Sequence, residues 1–289
     1  MPAPAITGGA LSDLPGWAGH DPAPALAALA RQDDNLGRAA RAATDARTFF
    51  AATFAAGAAL PGHFTGYFEP ELDGARTPSP GFPVPLHALP PGGCTLPRAE
   101  VDAALAGHEI VWLRDEVDRF FLQVQGSGRV RLAGGGTLRV GHVARNGHPY
   151  RSIGKILIER GIFGPDITAE ALKAWLRADP ARGRAVMAEN PSYVFFRALD
   201  TDPADGPPGT LGVPVTPGAT IAVDPDHCPL GSPVWIETEG FTGICIAQDT
   251  GSAIKGAGRA DLFFGTGPQA GVAAGRLNHP GRFVPLVPR

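Results

Sequence analysis

Three aspartates in the last third of the chain sit where apolar runs begin or end. Asp224 closes TIAV in TIAVDPDHCPLG, Asp249 closes GICIAQ in ICIAQDTGSAIKG, and Asp261 opens LFFG in GRADLFFG. An acid at the end of an apolar strand is delivered to the rim of a sheet, where a rigid scaffold can aim it into a cleft. A carboxyl so placed can give or take a proton once burial or a neighbouring charge moves its pKa toward neutrality. Taken singly, each aspartate would equally suit a turn. Three at strand ends within 38 residues point instead to shared chemistry. Glycines on both sides (Gly231, Gly251, Gly256, Gly258, Gly265, Gly267) permit tight turns beside them.

Two further clusters carry binding chemistry rather than acid chemistry. One is Thr65-Gly66-Tyr67-Phe68-Glu69-Pro70; the other is Gln123-Val124-Gln125-Gly126-Ser127-Gly128. Read as a strand running into a glycine turn, the second places Gln123 and Gln125 on one face. Hydroxyls, amides and an aromatic ring suit a neutral, polyhydroxylated ligand, which needs directional hydrogen bonds and a stacking surface. Thr65, Tyr67, Gln125 and Ser127 are therefore the candidate binding residues, with turn chemistry and cross-strand packing as the alternative.

Other chemistries lack their signatures. The eight histidines are scattered without HExxH spacing, so no metal or other cofactor is expected. There is no GxSxG elbow, no P-loop and no complete GxGxxG. Asp249-Thr250-Gly251-Ser252 is similar to the active-site loop of aspartic proteases, where two aspartates share a proton. With no second copy in the chain, that reading requires a homodimer of retroviral type.

The elements around these residues must form a folded core. The 289 residues are 44% hydrophobic and 18% charged, a globular composition. Lys and Arg number 25 against 28 Asp and Glu, a net charge of −3 that offers nothing to a polyanion, so nucleic acid is not an expected partner. Three cysteines (Cys94, Cys228, Cys245) are too few and too widely spaced for a disulfide framework; a Cys228–Cys245 pair is conceivable, buried thiols the better expectation. The opening MPAPAITGGALSDLPGW has neither a basic n-region nor an apolar h-region, and no run reaches the roughly 18 apolar residues of a membrane span.

Along the chain, residues 1–20 read as a loose lead-in. Asp21-Pro22 opens a helix over PAPALAALARQ, and a second covers TDARTFFAATFAAG with Gly57 as its stop. Short extended runs follow: HFTGYFEPEL, then EIVWLRD, RFFLQVQG, GRVRLAG and TLRVGHV, which form a meander. Ser152 caps IGKILIERG, Thr168 caps AEALKAWLRAD, and Pro180 starts ARGRAVMAEN. From Tyr193 the pattern is strand-like again, through YVFFRAL, ATIAVDP, SPVWIET, GICIAQDTG and ADLFFG. Helices and strands in separate blocks predict a mainly β, α+β fold built around barrels.

These residues resemble the A-type membrane-bound lytic murein transglycosylases. The resemblance spans nearly the whole chain through FTGYFEPEL (64–72), FFLQVQGSGRV (120–130), GKILIERG (154–161), ENPSYVFFR (189–197), TIAVDPDHCPLGSPVW (220–235) and AQDTGSAIKGAGRADLFFGTG (247–267). It implies a double-psi β-barrel assembled from 1–71 and 195–289 with the N-terminal helices, a second β-barrel inserted over 72–194, and a glycan groove between them. It implies cleavage of the β-1,4 bond between N-acetylmuramic acid and N-acetylglucosamine without water, giving 1,6-anhydro products. Asp261 would be the single catalytic acid and base, with Asp249 and Asp224 as supporting acids. The partner would be peptidoglycan, the molecule a monomer, and its location the cell envelope, periplasmic or outer-membrane associated. A glycan-binding barrel without catalysis and the aspartic protease are the alternatives. Two departures stand out: the stretch from Asp249 to Asp261 is about one residue longer than the family pattern, with Ser252 where glycine is usual, and no cysteine precedes Cys94 to carry a lipid.

Overall fold

The structure is a computed structural model that describes residues 8–202 and 204–289. Its chain divides into two compact units. The first runs through Phe68 and resumes at Asp202; the second is Glu69–Thr201. The first unit opens with helices α1 (Ala23–Ala30), α2 (Asn35–Ala42) and α3 (Ala46–Thr53) and strands β1 (Phe54–Ala56) and β2 (Leu60–Glu69), the last residue of β2 passing into the second unit. The second unit contains β3 (Glu71–Ala75), β4 (Val84–His87), α4 (Arg98–Ala104), β5 (Glu109–Leu113), α5 (Glu116–Gln125), β6 (Ser127–Leu132), β7 (Thr137–Arg145), α6 (Ile153–Glu159), α7 (Ala169–Ala178), α8 (Pro180–Ala188) and β8 (Val194–Leu199). The first unit is completed by β9 (Thr220–Val223), β10 (Pro233–Thr238), β11 (Phe241–Thr250), β12 (Arg259–Thr266), α9 (Gly267–Arg276) and β13 (Asn278–Pro288). Among the described residues, no helix is long and apolar enough to cross a membrane.

In the first unit the ladder runs β13-β10-β11-β9-β12-β2 and returns to β13, a closed six-stranded barrel with β1 added at the edge of β13. Closure leaves the barrel strands no free edge. Its interior is filled by Phe64, Ile221, Val223, Val234, Ile236, Cys245, Ala247, Leu262 and Phe283, all buried. The outer face of β10 and β11 is covered by the helices and the lead-in. Trp235 is fully buried, edge-on to His20 at 5.2 Å and tilted against Trp17 at 5.8 Å. Burial lowers the His20 pKa, so its ring is neutral and Nε2 accepts the Ile244 amide at 3.1 Å.

The lead-in is thus packed, not loose: Leu11, Leu14 and Trp17 lie in the core. The first seven residues of that segment fall outside the described residues. Gly57 does not stop the second helix either, because α3 ends at Thr53 and Phe54–Ala56 pairs antiparallel with Leu286–Pro288. A strand partner more than 200 residues away outweighs local helix propensity there.

The second unit carries a sheet in the order β4-β5-β3-β6-β7-β8, which curls until its edge strands β4 and β8 pack together over Leu86, Val111, Leu113, Val130, Val140 and Phe196. The expected caps form: Ser152 Oγ accepts the Lys155 amide, Thr168 Oγ1 that of Ala171, and Pro180 occupies the first turn of α8 behind Asp179. RFFLQVQG is not a strand. Asp115 accepts the Asp118 amide at 2.8 Å as an N-cap, and Gly126 ends the helix at φ +83°. The i, i+3, i+4, i+7 spacing of Val117, Phe120, Phe121 and Val124 is a helical period, and it prevails over the alternation of the two glutamines.

Candidate active site

The site is built from the first unit alone. In β12, Arg259 and Asp261 share one face while Ala260 and Leu262 enter the barrel core. β2 brings Thr65 and Tyr67 in the same alternation, separated by Gly66. Thr65 Oγ1 donates to Asp261 Oδ1 at 2.5 Å, and Arg259 Nη2 donates to Thr65 Oγ1 at 2.7 Å. The Tyr67 hydroxyl donates to Asp249 Oδ2 at 3.0 Å, and its ring lies 5.1 Å from that of Phe263.

Gly66 allows this arrangement. A Cβ there would lie 2.7 Å from both Cα and the carbonyl oxygen of Ala274 in α9, and 2.7 Å from the Phe264 ring. Backbone cannot retreat as a flexible side chain can. Gly66→Ala is therefore expected to lower stability by about 1–3 kcal/mol through overpacking, read by urea or thermal unfolding. An unchanged unfolding midpoint would show that α9 does not press on β2.

Asp261 is half-buried, hemmed in by protein yet partly open to a ligand. Burial is the main cause that pushes its pKa up to about 6; the nearby Asp249 charge adds to this, while the Thr65 hydrogen bond and Arg259 oppose it. Asp249 stands at the end of β11, just past a register shift between Ala247 and Asp249 that makes Gln248 the extra residue of a bulge. Its Oδ1 accepts the Thr210 amide (3.0 Å), the Thr210 hydroxyl (3.0 Å) and the Thr250 amide (2.9 Å). Burial raises its pKa against those four donors, Tyr67 included. Thr210 has no signal in the sequence: it sits in an irregular loop between Pro208 and Pro214 (GPPGTLGVPV), and only the fold brings it to Asp249.

Asp224 plays a different part. It is 5% exposed, and its oxygens accept from the Gly256 amide (2.8 Å) and Lys255 Nζ (3.1 Å). The Gly256 N–H above all holds its carboxyl below the ordinary range. Asp224 thereby clamps the loop that joins β11 to β12, the loop that sets where Asp261 begins.

Gln125 and Ser127 belong to the second unit, at the end of α5 and the start of β6. Helical geometry separates Gln123 from Gln125, since residues two apart do not share a face. Gln123 is buried, accepting from Arg98 Nη1 at 2.6 Å and donating to the Val194 carbonyl at 3.2 Å. The conceivable disulfide is absent: Cys94, Cys228 and Cys245 are free thiols, and burial raises the pKa of Cys228 to about 11 and that of Cys245 further. The protease reading fits poorly, because both oxygens of Asp249 already accept hydrogen bonds from Thr210, Thr250 and Tyr67.

A closed barrel that carries on β12 a half-buried aspartate of raised pKa has the makings of an acid–base enzyme, and comparison with known proteins narrows the class. Residues 94–197 match the MltA specific insert domain, and residues 219–287 match the 3D domain. The membrane-bound lytic murein transglycosylase A of Vibrio cholerae is 35% identical over 237 residues, 76% of this chain and 63% of that protein. The chain thus spans a little under two thirds of the length of that relative. The solved structure of the lytic transglycosylase LtgG of Burkholderia pseudomallei is 41% identical with a TM-score of 0.69, covering 100% of this chain and 97% of that one. The Escherichia coli MltA structure with bound chitohexaose has 28% identity and a TM-score of 0.79, covering 100% and 93%. The chain belongs to the A-type membrane-bound lytic murein transglycosylase family.

Proposed function

We propose that this protein is a peptidoglycan lytic transglycosylase. It cleaves the β-1,4 bond between N-acetylmuramic acid and N-acetylglucosamine by attack of the muramic acid C6 hydroxyl on C1. Asp261 is the single acid and base. The observation that carries this reading is the state of Asp261: half-buried, its proton retained to about pH 6, one oxygen engaged by Thr65 and the carboxyl still accessible. Its acid form donates to the departing glycosidic oxygen; its carboxylate then accepts the C6 hydroxyl proton.

One carboxyl suffices because the nucleophile is internal. Hydrolytic glycosidases use two, either to activate a water or to form a covalent intermediate. An intramolecular hydroxyl needs neither, and proximity supplies much of the rate advantage. Asp249, held by Thr210, Thr250 and Tyr67, raises the proton affinity of Asp261 by like charge, and as a carboxylate it favours an oxocarbenium-like transition state. Thr65 and Tyr67 line the sugar-binding surface of the first unit; for Gln125 and Ser127, in the second unit, a sugar-binding role rests on the sequence motif. Support for a glycan ligand comes from the chitohexaose bound by the E. coli relative. Names of relatives as membrane-bound murein enzymes support a place in the cell envelope.

Digestion of purified sacculi followed by product mass determination tests the proposal. Fragments lighter by one water and lacking a reducing muramic end are expected. Ordinary reducing ends would make the protein a hydrolase; sacculus binding with no released fragment would make it a glycan-binding barrel.

A further inference from the structure

Arg259 stands two residues before Asp261 on the same strand face, yet its guanidinium reaches Thr65. Besides donating Nη2 to Thr65 Oγ1 at 2.7 Å, it anchors Nη1 on the carbonyls of Ala260 (2.5 Å) and His63 (3.3 Å). A guanidinium donates and never accepts. The Thr65 hydroxyl carries one proton, and Asp261 Oδ1 at 2.5 Å is the acceptor within its reach. With Arg259 feeding one lone pair of Oγ1, that proton goes to Oδ1.

We infer that Arg259 is a positioning residue that acts through Thr65 to keep Asp261 Oδ1 an acceptor, so that the catalytic proton is carried on Oδ2. This rests on the reading of Asp261 as the acid and base. A carboxylic acid whose proton could sit on either oxygen would spend part of its time with the proton turned inward toward Thr65, unable to reach a leaving group. The relay removes that unproductive tautomer. Polarisation by the cation also strengthens the Thr65 donor, as hydrogen bonds in a chain reinforce one another.

The relay has an electrostatic cost for the acid form. Arg259 and Thr65 favour the ionised carboxyl, while burial and the Asp249 charge favour the protonated one. The groups facing Asp261 are Arg259 on β12, Thr65 and Tyr67 on β2 and Asp249 on β11; its register partner on β9 is the uncharged Ala222. The proton is thus placed by the same pair that makes it easier to lose.

The test is kcat and KM against pH for the intact protein, on soluble glycan fragments prepared from sacculi. Arg259→Gln should lower kcat about 10-fold to 100-fold with KM changed by less than about twofold, since the substrate-binding surface is retained. The alkaline limb of its kcat profile should move to higher pH, because a cation that favours ionisation is gone. Thr65→Val should show the same fall in kcat and the same shift of the limb, together with a higher KM from its lost sugar contact, and Thr65→Ser should keep about tenfold more kcat than Thr65→Val. Adding Arg259→Gln to Thr65→Val should slow it little further, because the relay is already broken. An unchanged kcat and limb in Arg259→Gln overturns the inference, and so does an equal loss from that substitution with and without the Thr65 hydroxyl. Should Arg259→Gln not fold, the Thr65 pair decides: equal kcat and equal limbs in the Ser and Val variants overturn it. An active Asp261→Asn would sink the underlying assignment. An inactive Asp261→Asn beside a wild-type Arg259→Gln would sink only the relay.

Discussion

Asp261→Asn should abolish turnover while leaving the fold intact. The amide has nearly the shape of the carboxyl but can neither donate a proton to the leaving oxygen nor accept one from the C6 hydroxyl. General acid–base catalysis contributes about 10²–10⁴-fold, and a site that uses one group for both transfers should lose the upper part of that range. The pH dependence of the unmodified protein follows from the same group. With its pKa raised to about 6, Asp261 holds its proton below that value and loses it as pH rises through it. The step that needs the acid form should therefore fall on the alkaline side of about 6.

Stability should move the opposite way in the variant. A carboxyl whose folded-state pKa lies above its unfolded value stabilises the fold at low pH, and that contribution is lost as pH rises through the folded value. Above about pH 6 the unmodified protein therefore carries a buried charge that the asparagine variant does not. Asp261→Asn should melt at least as high as the unmodified protein at pH 7.5. A variant that retains most of its kcat, while Asp249→Asn is dead, would transfer the role to Asp249. A variant that is inactive because it melts far lower would remove the argument from kinetics altogether.

The second large effect falls in the other unit. Glu69 is fully buried and accepts from Arg129 Nε at 2.7 Å and Arg139 Nη2 at 3.2 Å; Arg139 is itself 5% exposed. Removing one member of a buried ion cluster leaves the remaining charge desolvated without its partner, at a cost of about 3–5 kcal/mol. Glu69→Ala should therefore approach global destabilisation of that unit, given the marginal stability of natural domains. Asp73 provides the contrast within the same sheet. It pairs with Arg114 and Arg131 at the surface, with 36% of its side chain exposed. Water screens such pairs, and Asp73→Ala should cost no more than about 1 kcal/mol. Urea unfolding of both variants decides: equal losses would mean that the Glu69 cluster is not paired in solution as described.

Glu69 also marks the limit of reading a motif by composition. In sequence it stands beside Thr65 and Tyr67, and the hexapeptide looks like one ligand-binding cluster. The chain leaves the first unit between Phe68 and Glu69, so two of these side chains face Asp249 and Asp261 while the third neutralises arginines in a core. Adjacency along a strand says nothing about which unit a residue will serve.

Much of the molecule was nonetheless legible from local pattern. The strands β9, β11 and β12, which carry or adjoin Asp224, Asp249 and Asp261, lie where apolar runs predict them, because burial of a strand leaves its period in the residues themselves. Helix caps at Ser152 and Thr168 are local hydrogen bonds, written within three residues. Elements held by distant partners were not legible. Local pattern predicts neither helix α9 nor strand β13, and β13 contains Pro280 and Pro285, residues that argue against a strand paired on both sides. Yet β13 meets β2, β10 and β1 in turn and closes the barrel.

What the chain determined by itself was the identity of its acids and the rigid strand ends that carry them. What only the tertiary structure decided was their state. Asp261 meets Thr65 across 196 positions of sequence, Asp249 meets Thr210 through an irregular loop, and Asp224 turns away to hold the loop between them. A carboxyl's proton affinity is set by how much water has been excluded and which charges and donors remain within a few ångströms. Those quantities arise when strands far apart in the chain close into one barrel, and no local spacing encodes them.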